Sequence, residues 1–141
     1  MYKRQKPTRV DAKLLKEIIK DDFIPIITPM GLDDGGQAYN INADTAAGAI
    51  AKSIKSRRLI LLTDVEGVID NNKLISEINT NEANELINKK IIHGGMIPKI
   101  KTCINAINDG VRAVVILDGR KPHSVLFELF SDQGAGTLIR K

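Results

Sequence analysis

The chain has 141 residues, of which 43% are hydrophobic and 27% are charged, as in a single globular domain. Its net charge of +4 comes from four basic residues that precede the first acidic one, and aromatic residues make up only 4%, so nucleic-acid binding is not expected. The sequence has no long apolar run and no signal-peptide pattern, and its lone Cys103 excludes an intramolecular disulfide, so we expect a cytoplasmic protein without membrane association.

The first predicted elements are a helix and two short strands. Leucines and isoleucines at helical spacing predict an amphipathic helix over residues 11–21, with Asp11 as its N-cap. The apolar residues 23–27 predict a short buried strand, and Pro25 places it at a sheet edge or a bulge because proline cannot donate to a ladder. Turn residues follow, and weak alternation over residues 37–41 predicts one strand of a hairpin.

The middle of the chain predicts a helix followed by a buried strand. Asn42 is placed to cap a helix of small residues that runs to Ile54. Residues 59–62 are continuously apolar, as in parallel strands that are covered on both faces. Thr63 and Asp64 follow at the carboxyl end of this strand, which is where open α/β sheets bind their ligands.

The later part of the chain alternates between helix and strand. The predicted elements are a hairpin over residues 68–75, a helix over 80–88, a helix over 97–107 that stops at Gly110, a strand over 113–117, a helix over 124–130 and a strand over 137–139. This alternation predicts a three-layer αβα sandwich with a mainly parallel sheet. Cys103 falls within the apolar face of its helix and is expected to be a small core residue.

The segment from Ile91 to Lys99 places two glycines and a proline before a helix, and a lysine in the first helical turn. A helix N-terminus carries positive partial charge, so a cation there is unfavourable by a few tenths to about 1 kcal/mol unless an anion is nearby. Gly94, Gly95, free backbone amides and Lys99 would together form a phosphate-sized cradle. A solvated lysine after an ordinary turn explains the local pattern equally well.

Three further polar residues stand at the ends of predicted elements. Asn40 and Asp44 flank a strand-to-helix junction, and Asp64 follows the apolar strand. Taken alone, Asp44 is better explained as a helix cap or as a charge that stabilises the helix dipole, and Asp64 as a turn-forming side chain. The sequence contains no phosphate loop, dinucleotide-binding glycine pattern, paired metal-binding histidines or nucleophile elbow, and no metal site is predicted.

Five short segments, taken in order, carry a resemblance to a known family. They are Asn-Ile-Asn-Ala-Asp at 40–44, Leu-Leu-Thr-Asp-Val-Glu-Gly at 61–67, Gly-Gly-Met-Ile-Pro-Lys at 94–99, Asp-Gly-Arg-Lys-Pro-His at 118–123 and Glu-Leu-Phe at 128–130. The ordered set resembles the amino acid kinase family, and within it the members that phosphorylate N-acetylglutamate. The resemblance runs from about Asp11 to the end of the chain.

The resemblance implies an activity and three residue roles. The activity is ATP-dependent phosphorylation of the side-chain carboxylate of N-acetyl-L-glutamate to N-acetyl-L-glutamyl 5-phosphate, in arginine biosynthesis. Lys99 would stabilise charge on the transferring phosphoryl group, Asp44 would organise the lysines of the site, and Asn40 would hold the acetylglutamate. ATP with Mg²⁺ is implied as co-substrate, without a tightly bound cofactor.

The resemblance also implies two segments that contact ATP. Asp64 would lie near the ribose or the phosphates, and apolar residues near the adenine. We assign His93 a positional role through its backbone, because a carboxylate acceptor is already ionised at neutral pH and needs no general base. The implied ATP-binding residues are Asp64, Val65, Glu66, Gly67, Val68, Ile69, Ile91, Ile92 and His93.

In arginine-inhibited members of the family, residues matching Glu128 and Gly134 line the effector site, which makes arginine an implied inhibitor. The alternative is a surface glutamate and a turn glycine. His123 and Arg120 are interpreted as structural, Arg120 through pairing with a local carboxylate. The complete protein is implied to be a homo-oligomer.

Members of the family are markedly longer than this chain, and the lysine, glycine-rich loop and arginine of their first half have no counterpart before Asp11. We therefore interpret residues 11–141 as the C-terminal nucleotide-binding half of the domain and residues 1–10 as an unrelated or disordered start. The chain alone is expected to be inactive. Another amino acid kinase, or a non-catalytic nucleotide- or arginine-binding module, is the alternative.

Overall fold

The computed structural model describes residues 7–141 and shows an α/β fold. The elements in chain order are α1 Ala12–Lys20, β1 Met30–Leu32, β2 Ala38–Asn40, α2 Ala43–Ser53, β3 Arg58–Thr63, β4 Ile69–Asp70, β5 Lys73–Leu74, β6 Glu77–Asn79, α3 Thr80–Asn88, α4 Met96–Asn108, β7 Ala113–Asp118, α5 Ser124–Phe130 and β8 Thr137–Arg140. The prediction of an unrelated start over residues 1–10 falls mostly outside the described residues.

The central sheet has four strands in the order β3-β7-β8-β6. The pairs β3–β7 and β6–β8 are parallel, and only the pair β7–β8 is antiparallel. The prediction of a mainly parallel sheet is therefore confirmed. The β1–β2 and β4–β5 pairs are separate antiparallel hairpins. The second was predicted as a hairpin, whereas only the β2 strand of the first was predicted.

The core lies between one face of the sheet and the helices α2, α3 and α4. Alternate strand residues point to this face, because successive side chains of a strand point to opposite sides. Within α4 the buried residues recur at helical spacing, and Cys103 is among them as predicted. The core members are Ala51, Leu59, Leu61, Val68, Ile78, Ala83, Ile92, Ile100, Cys103, Ile104, Ala106, Ile107, Val111, Val114, Ile116 and Ile139.

The buried strand predicted over residues 23–27 is wrong. These residues belong to no regular element, and Ile24 and Ile26 are 90% and 95% exposed. Pro25 has no amide hydrogen to donate, and no strand within residues 7–141 pairs with this segment, so its apolar composition does not produce a strand. The strand forms a few residues later, as β1, where turn residues had been predicted.

Helix lengths in this fold are modest. No helix within the described residues is both long enough and apolar enough to cross a bilayer.

Candidate functional site

The first turns of α2 and α4 meet through an ion pair. Lys99 Nζ lies 3.0 Å from Asp44 Oδ2, and both side chains are partly buried, with 28% and 24% exposed. Lys99 is the fourth residue of α4, as its sequence position predicted, and α2 packs directly against α4. Asp44 thus supplies the anion that a lysine at a helix start needs.

The N-cap of α2 is Asn42. Its side-chain oxygen accepts a hydrogen bond of 3.1 Å from the backbone amide of Thr45. Asp44 lies two residues after this cap, so capping does not explain its carboxylate, which accepts a hydrogen bond from Lys99 instead.

The helix start at α4 is less open than the predicted cradle. The amides of Met96 and Ile97 donate to the carbonyls of His93 and Gly94, at 3.2 and 3.3 Å, and no side chain caps the helix. Gly94 has a positive φ of 56°, and a Cβ atom added there would meet nothing within 4 Å. The glycines therefore leave open space in front of Lys99, and fewer amides than expected point into it.

A cleft of about 430 Å³ opens beside Lys99, at the carboxyl end of β3. It brings together two segments separated by more than 20 residues, and eight of the nine residues implied to contact ATP line it. The lining residues are Asp64, Val65, Gly67, Val68, Ile69, Ile91, Ile92, His93, Gly94, Gly95, Met96 and Lys99.

The carboxylate of Asp64 is available to a ligand. Thr63 Oγ1 makes the local turn bonds, with the backbone N–H and C=O of Val65 at 3.1 and 2.8 Å. Within residues 7–141, Asp64 accepts no hydrogen bond, so it is not the turn-forming side chain that the local sequence suggested. It lines the cleft instead.

Thr137 is a site residue that sequence reasoning missed. Its hydroxyl is fully buried, accepts from the Val68 amide at 2.8 Å and donates to the Ile75 carbonyl at 2.7 Å. Gly67 has φ +148°, and an added Cβ would lie 2.5 Å from the same hydroxyl, so only glycine fits. Thr137 therefore fixes the backbone beneath the cleft, and no local pattern marks a threonine about 70 residues away as its anchor.

Glu66 is the implied ATP-binding residue that does not line the cleft. It pairs with Lys121 at 2.5 Å, across the loops that follow β3 and β7. The neighbouring Asp118 is buried and accepts from the Arg120 guanidinium at 3.0 and 2.9 Å and from its amide at 2.9 Å. These bonds lower the pKa of Asp118 to about 2, which matches the structural role predicted for Arg120.

Three other residues named in the sequence analysis are Asn40, His93 and His123, and of these only His93 lines the cleft. Asn40 is exposed at the end of β2, two residues before the α2 cap. His93 lines the cleft and contributes its carbonyl to the α4 turn. His123 is exposed, has a φ of 60° and accepts the Phe127 amide through its carbonyl, which fits the structural role predicted for it.

Glu128 and Gly134 lie together, away from this cleft. The Glu128 side chain is only 7% exposed, accepts from Arg58 at 3.3 Å and from the Ala135 amide at 2.9 Å. Gly134 has φ +68°, and an added Cβ would lie 2.9 Å from the Glu128 carboxylate. The surface-glutamate interpretation is therefore wrong, because this carboxylate is buried and already holds a guanidinium.

Burial keeps the Cys103 thiol, which lies near the Lys99–Asp44 pair, in its protonated form. Desolvation, with a smaller contribution from Asp44, raises its pKa to about 12. A protonated thiol at neutral pH is a packing group. No cluster of three or more potential metal-ligating side chains occurs within residues 7–141.

The fold and this cleft define an α/β domain with its ligand space at the carboxyl end of a mainly parallel sheet. The model of the amino acid kinase family matches residues 2–118, and the chain belongs to that family.

Curated relatives share this sequence over nearly its whole length. Acetylglutamate kinase of Pelagibacter ubique is 58% identical over 137 residues, which cover 96% of this chain and 48% of the relative. Acetylglutamate kinase of Nitrobacter hamburgensis is 52% identical over 136 residues, covering 96% and 46%. The chain thus spans about half the length of these relatives.

Solved structures share the fold. N-acetylglutamate synthase from Neisseria gonorrhoeae, complexed with coenzyme A and L-arginine, superposes with a TM-score of 0.88 at 28% sequence identity. The superposed region covers 94% of this chain and 31% of the synthase chain. Carbamate kinase from Giardia lamblia bound to AMP-PNP gives 0.74 at 23% identity, covering 96% and 46%. The second likeness concerns the fold alone.

Proposed function

We propose that the complete protein transfers the γ-phosphoryl group of MgATP to the side-chain carboxylate of N-acetyl-L-glutamate, giving N-acetyl-L-glutamyl 5-phosphate in arginine biosynthesis. In this proposal the present chain supplies the nucleotide-binding half. Relatives named acetylglutamate kinase at 52% and 58% identity support the substrate assignment. The ion pair between Lys99 and Asp44 at the rim of the cleft is the observation that carries the chemistry.

Lys99 acts as the electrostatic catalyst. A carboxylate acceptor is ionised at neutral pH, so no proton has to be removed, and catalysis depends on positioning and on stabilising charge. The Lys99 ammonium is partly buried beside open space left by Gly94 and Gly95, where a phosphoryl group brings a further anion to a helix start that favours one.

Asp44 is the positioning partner. It holds the Lys99 side chain at 3.0 Å and keeps this partly buried cation paired when no nucleotide is present. Asn40, just before the same helix, is assigned to the acetylglutamate.

The cleft walls suit a nucleotide. Ile69 and Ile91 offer partly exposed apolar surface for the adenine, backed by the buried Val68 and Ile92. The free carboxylate of Asp64 is placed for the ribose or the phosphates. Mg²⁺ arrives with ATP as part of the substrate.

Calorimetry with MgATP tests the assignment on this chain. We expect binding without turnover, and Lys99→Met should weaken binding about tenfold, the size of one lost charged hydrogen bond. Lys101→Met is the matched control, because this exposed lysine lies two residues further along the same helix. Equal affinity in all three proteins, or acetylglutamate phosphorylation by the chain alone, would refute the corresponding part of the proposal.

Another amino acid kinase remains the nearest alternative. Phosphorylation of acetylglutamate, glutamate and uridylate by the complete protein separates these assignments. We also assign the complete protein to the cytoplasm as a homo-oligomer, and sedimentation of the full-length protein tests the assembly.

Arginine binding near Glu128 is a second candidate function. The observation in its favour is that Glu128 lies against the positive-φ Gly134 and that its carboxylate already accepts the Arg58 guanidinium. The Neisseria synthase with the same fold was solved with L-arginine. Calorimetry with arginine in the absence of nucleotide distinguishes this role from the kinase role.

A further inference from the structure

Residues 118–123 form one of the five segments that carry the family resemblance, yet none of them lines the MgATP cleft. The segment begins at Asp118, the last residue of β7, which pairs in register with Thr63, the last residue of β3. Because the two strands are parallel, the loops that follow them leave the sheet at the same edge. The loop after β3, residues 64–67, carries Asp64 to the cleft and is called the nucleotide loop below.

Backbone contacts join the two loops at their base. The Gly119 amide donates to the Thr63 carbonyl at 2.9 Å. A Cβ atom added at Gly119 would lie 3.1 Å from the Leu62 Cβ atom, so the missing side chain allows this close approach. Thr63 Oγ1 bonds the backbone of Val65 at 3.1 and 2.8 Å, so the position of Thr63 also determines the start of the nucleotide loop.

Two cations after β7 face the carboxylates of the nucleotide loop. Lys121 Nζ lies 2.5 Å from Glu66 Oε1, across 55 residues of sequence. The pKa of Arg120 is raised, chiefly by its bonds to Asp118. Asp64 and Glu66 raise it further, so both carboxylates of the loop lie within range of the Arg120 charge.

The backbone that carries Lys121 is itself fixed. Asp118 is 4% exposed and accepts three hydrogen bonds from Arg120. The Lys121 amide donates to the Asp118 carbonyl at 3.4 Å, and the Lys121 carbonyl accepts the Ser124 amide at 3.3 Å. The ion pair with Glu66 therefore connects the nucleotide loop to a part of the fold that is already ordered.

Taking MgATP as the ligand of the cleft, which rests on the proposed function, we propose that Gly119 and Lys121 are positioning residues for the nucleotide. The Gly119–Thr63 bond and the Glu66–Lys121 pair hold the nucleotide loop in the conformation that presents Asp64 to MgATP. Glu66 acts through Lys121 without touching the nucleotide, in agreement with its absence from the cleft lining.

Charge reversal separates this positioning role from a simple electrostatic effect. Glu66→Lys makes the surroundings of the cleft more positive by two charges, so electrostatics alone would tighten the binding of anionic MgATP. Loss of the pair would weaken it instead, and we expect a weakening of about threefold, within the range that an exposed ion pair supplies. The double variant Glu66→Lys with Lys121→Glu re-forms the pair in reverse, and calorimetry should return its affinity to within about 1.5-fold of wild type.

The Lys52–Asp109 pair provides the matched control. Its side chains are 54% and 45% exposed, nearly the same as the 53% and 47% of Lys121 and Glu66. It also joins two separate elements, but neither residue lines the MgATP cleft. We expect Asp109→Lys to leave the MgATP affinity within about 1.5-fold of wild type, because exposed charges away from the ligand are screened.

Hydrogen exchange supplies a readout that needs no nucleotide. In the free chain, Glu66→Lys should speed exchange of the Val65 amide at least about threefold, and the double variant should restore the wild-type rate. The Val68 amide, which is bonded to the buried Thr137 hydroxyl, is the internal control and should not change.

Three results would overturn the proposal. Tighter MgATP binding by Glu66→Lys would leave only an electrostatic effect, and a double variant as weak as Glu66→Lys would show that Glu66 contacts the nucleotide itself. Unchanged exchange at Val65 in Glu66→Lys would show that the pair does not hold the loop. Absence of MgATP binding by the wild-type chain would refute the proposed function, and the exchange rates would then decide alone whether the pair holds the loop.

Discussion

Lys99 Nζ and Asp44 Oδ2 lie 3.0 Å apart and join the first turns of two helices whose charged residues are 55 positions apart in the chain. The two charges act oppositely on their own helices. Asp44 is favourable at the start of α2, whereas Lys99 is unfavourable at the start of α4. A cation at this position is consistent with the phosphoryl-stabilising role proposed for Lys99.

The first prediction follows from that asymmetry. We expect Asp44→Asn to lower the free energy of unfolding by about 1 kcal/mol, because it removes both the ion pair and the favourable helix charge. Lys99→Met should change it by less than about 0.5 kcal/mol, since relief of the unfavourable charge offsets the lost pair. Urea unfolding measures both, with Lys101→Met as control. A larger loss for Lys99→Met than for Asp44→Asn would contradict this account.

The second prediction concerns Thr137. Thr137→Val keeps the shape but leaves the Val68 amide and the Ile75 carbonyl without their buried partner, so stability should fall by about 2–3 kcal/mol. Thr137→Ser keeps the hydroxyl and should lose only about 1 kcal/mol for one methyl group. MgATP affinity should fall in the valine variant and not in the serine variant. Equal losses in the two variants would show that the hydroxyl does not support the cleft.

The third prediction is a pH dependence from Asp118. Its folded-state pKa is lowered to about 2 from an ordinary 3.8, chiefly by the bonds from Arg120, so the carboxylate stabilises the fold above about pH 4. That contribution disappears as the pH falls from about 4 to 2. Urea unfolding over a pH series should show wild type and Asp118→Asn converging in this window. A stability difference that stays constant down to pH 2 would rule out this source. Arg120→Met should remove most of the same pH dependence.

The fourth prediction concerns the Arg58–Glu128 pair. Arg58→Met deprives a carboxylate that is 7% exposed of its guanidinium, so the free energy of unfolding should fall by about 2 kcal/mol. If the Glu128 carboxylate accepts free L-arginine in place of Arg58, this ligand should raise the melting temperature of the variant more than that of wild type. Lysine is the control ligand. Equal shifts with arginine and lysine would argue against an arginine site.

Local pattern predicted most of the helices and the two apolar strands of the sheet. Asn42 caps α2 and Lys99 stands in the first turn of α4, because capping and helical periodicity depend on neighbours within one turn. Continuous apolar runs predicted β3 and β7, but only β7 is buried on both faces, whereas β3 leaves Leu62 54% exposed. The family motifs identified nine residues as implied ATP contacts, and eight of them line one cleft of the structure.

Contacts between distant residues could not be read in the same way. The Thr137 bonds to Val68 and Ile75 join segments 69 and 62 residues apart, and a lone threonine gives no sign of its partner. β6 was missed because Glu77–Asn79 is short and polar and is a strand only through pairing with β8. The strand predicted over residues 23–27 was wrong for the opposite reason. Their apolar composition suits a strand, but within the described residues no strand pairs with them.

The position of Thr137 on β8 also has a consequence for the order of folding. Closing a loop has an entropy cost that grows with its length, so contacts across 62 and 69 residues form after the local turns and helices. We therefore expect the backbone beneath the cleft to become fixed only when β8 docks against β6 and β7. A folding intermediate with its helices formed would still lack the completed cleft, so on the proposed function MgATP would stabilise only the fully folded domain.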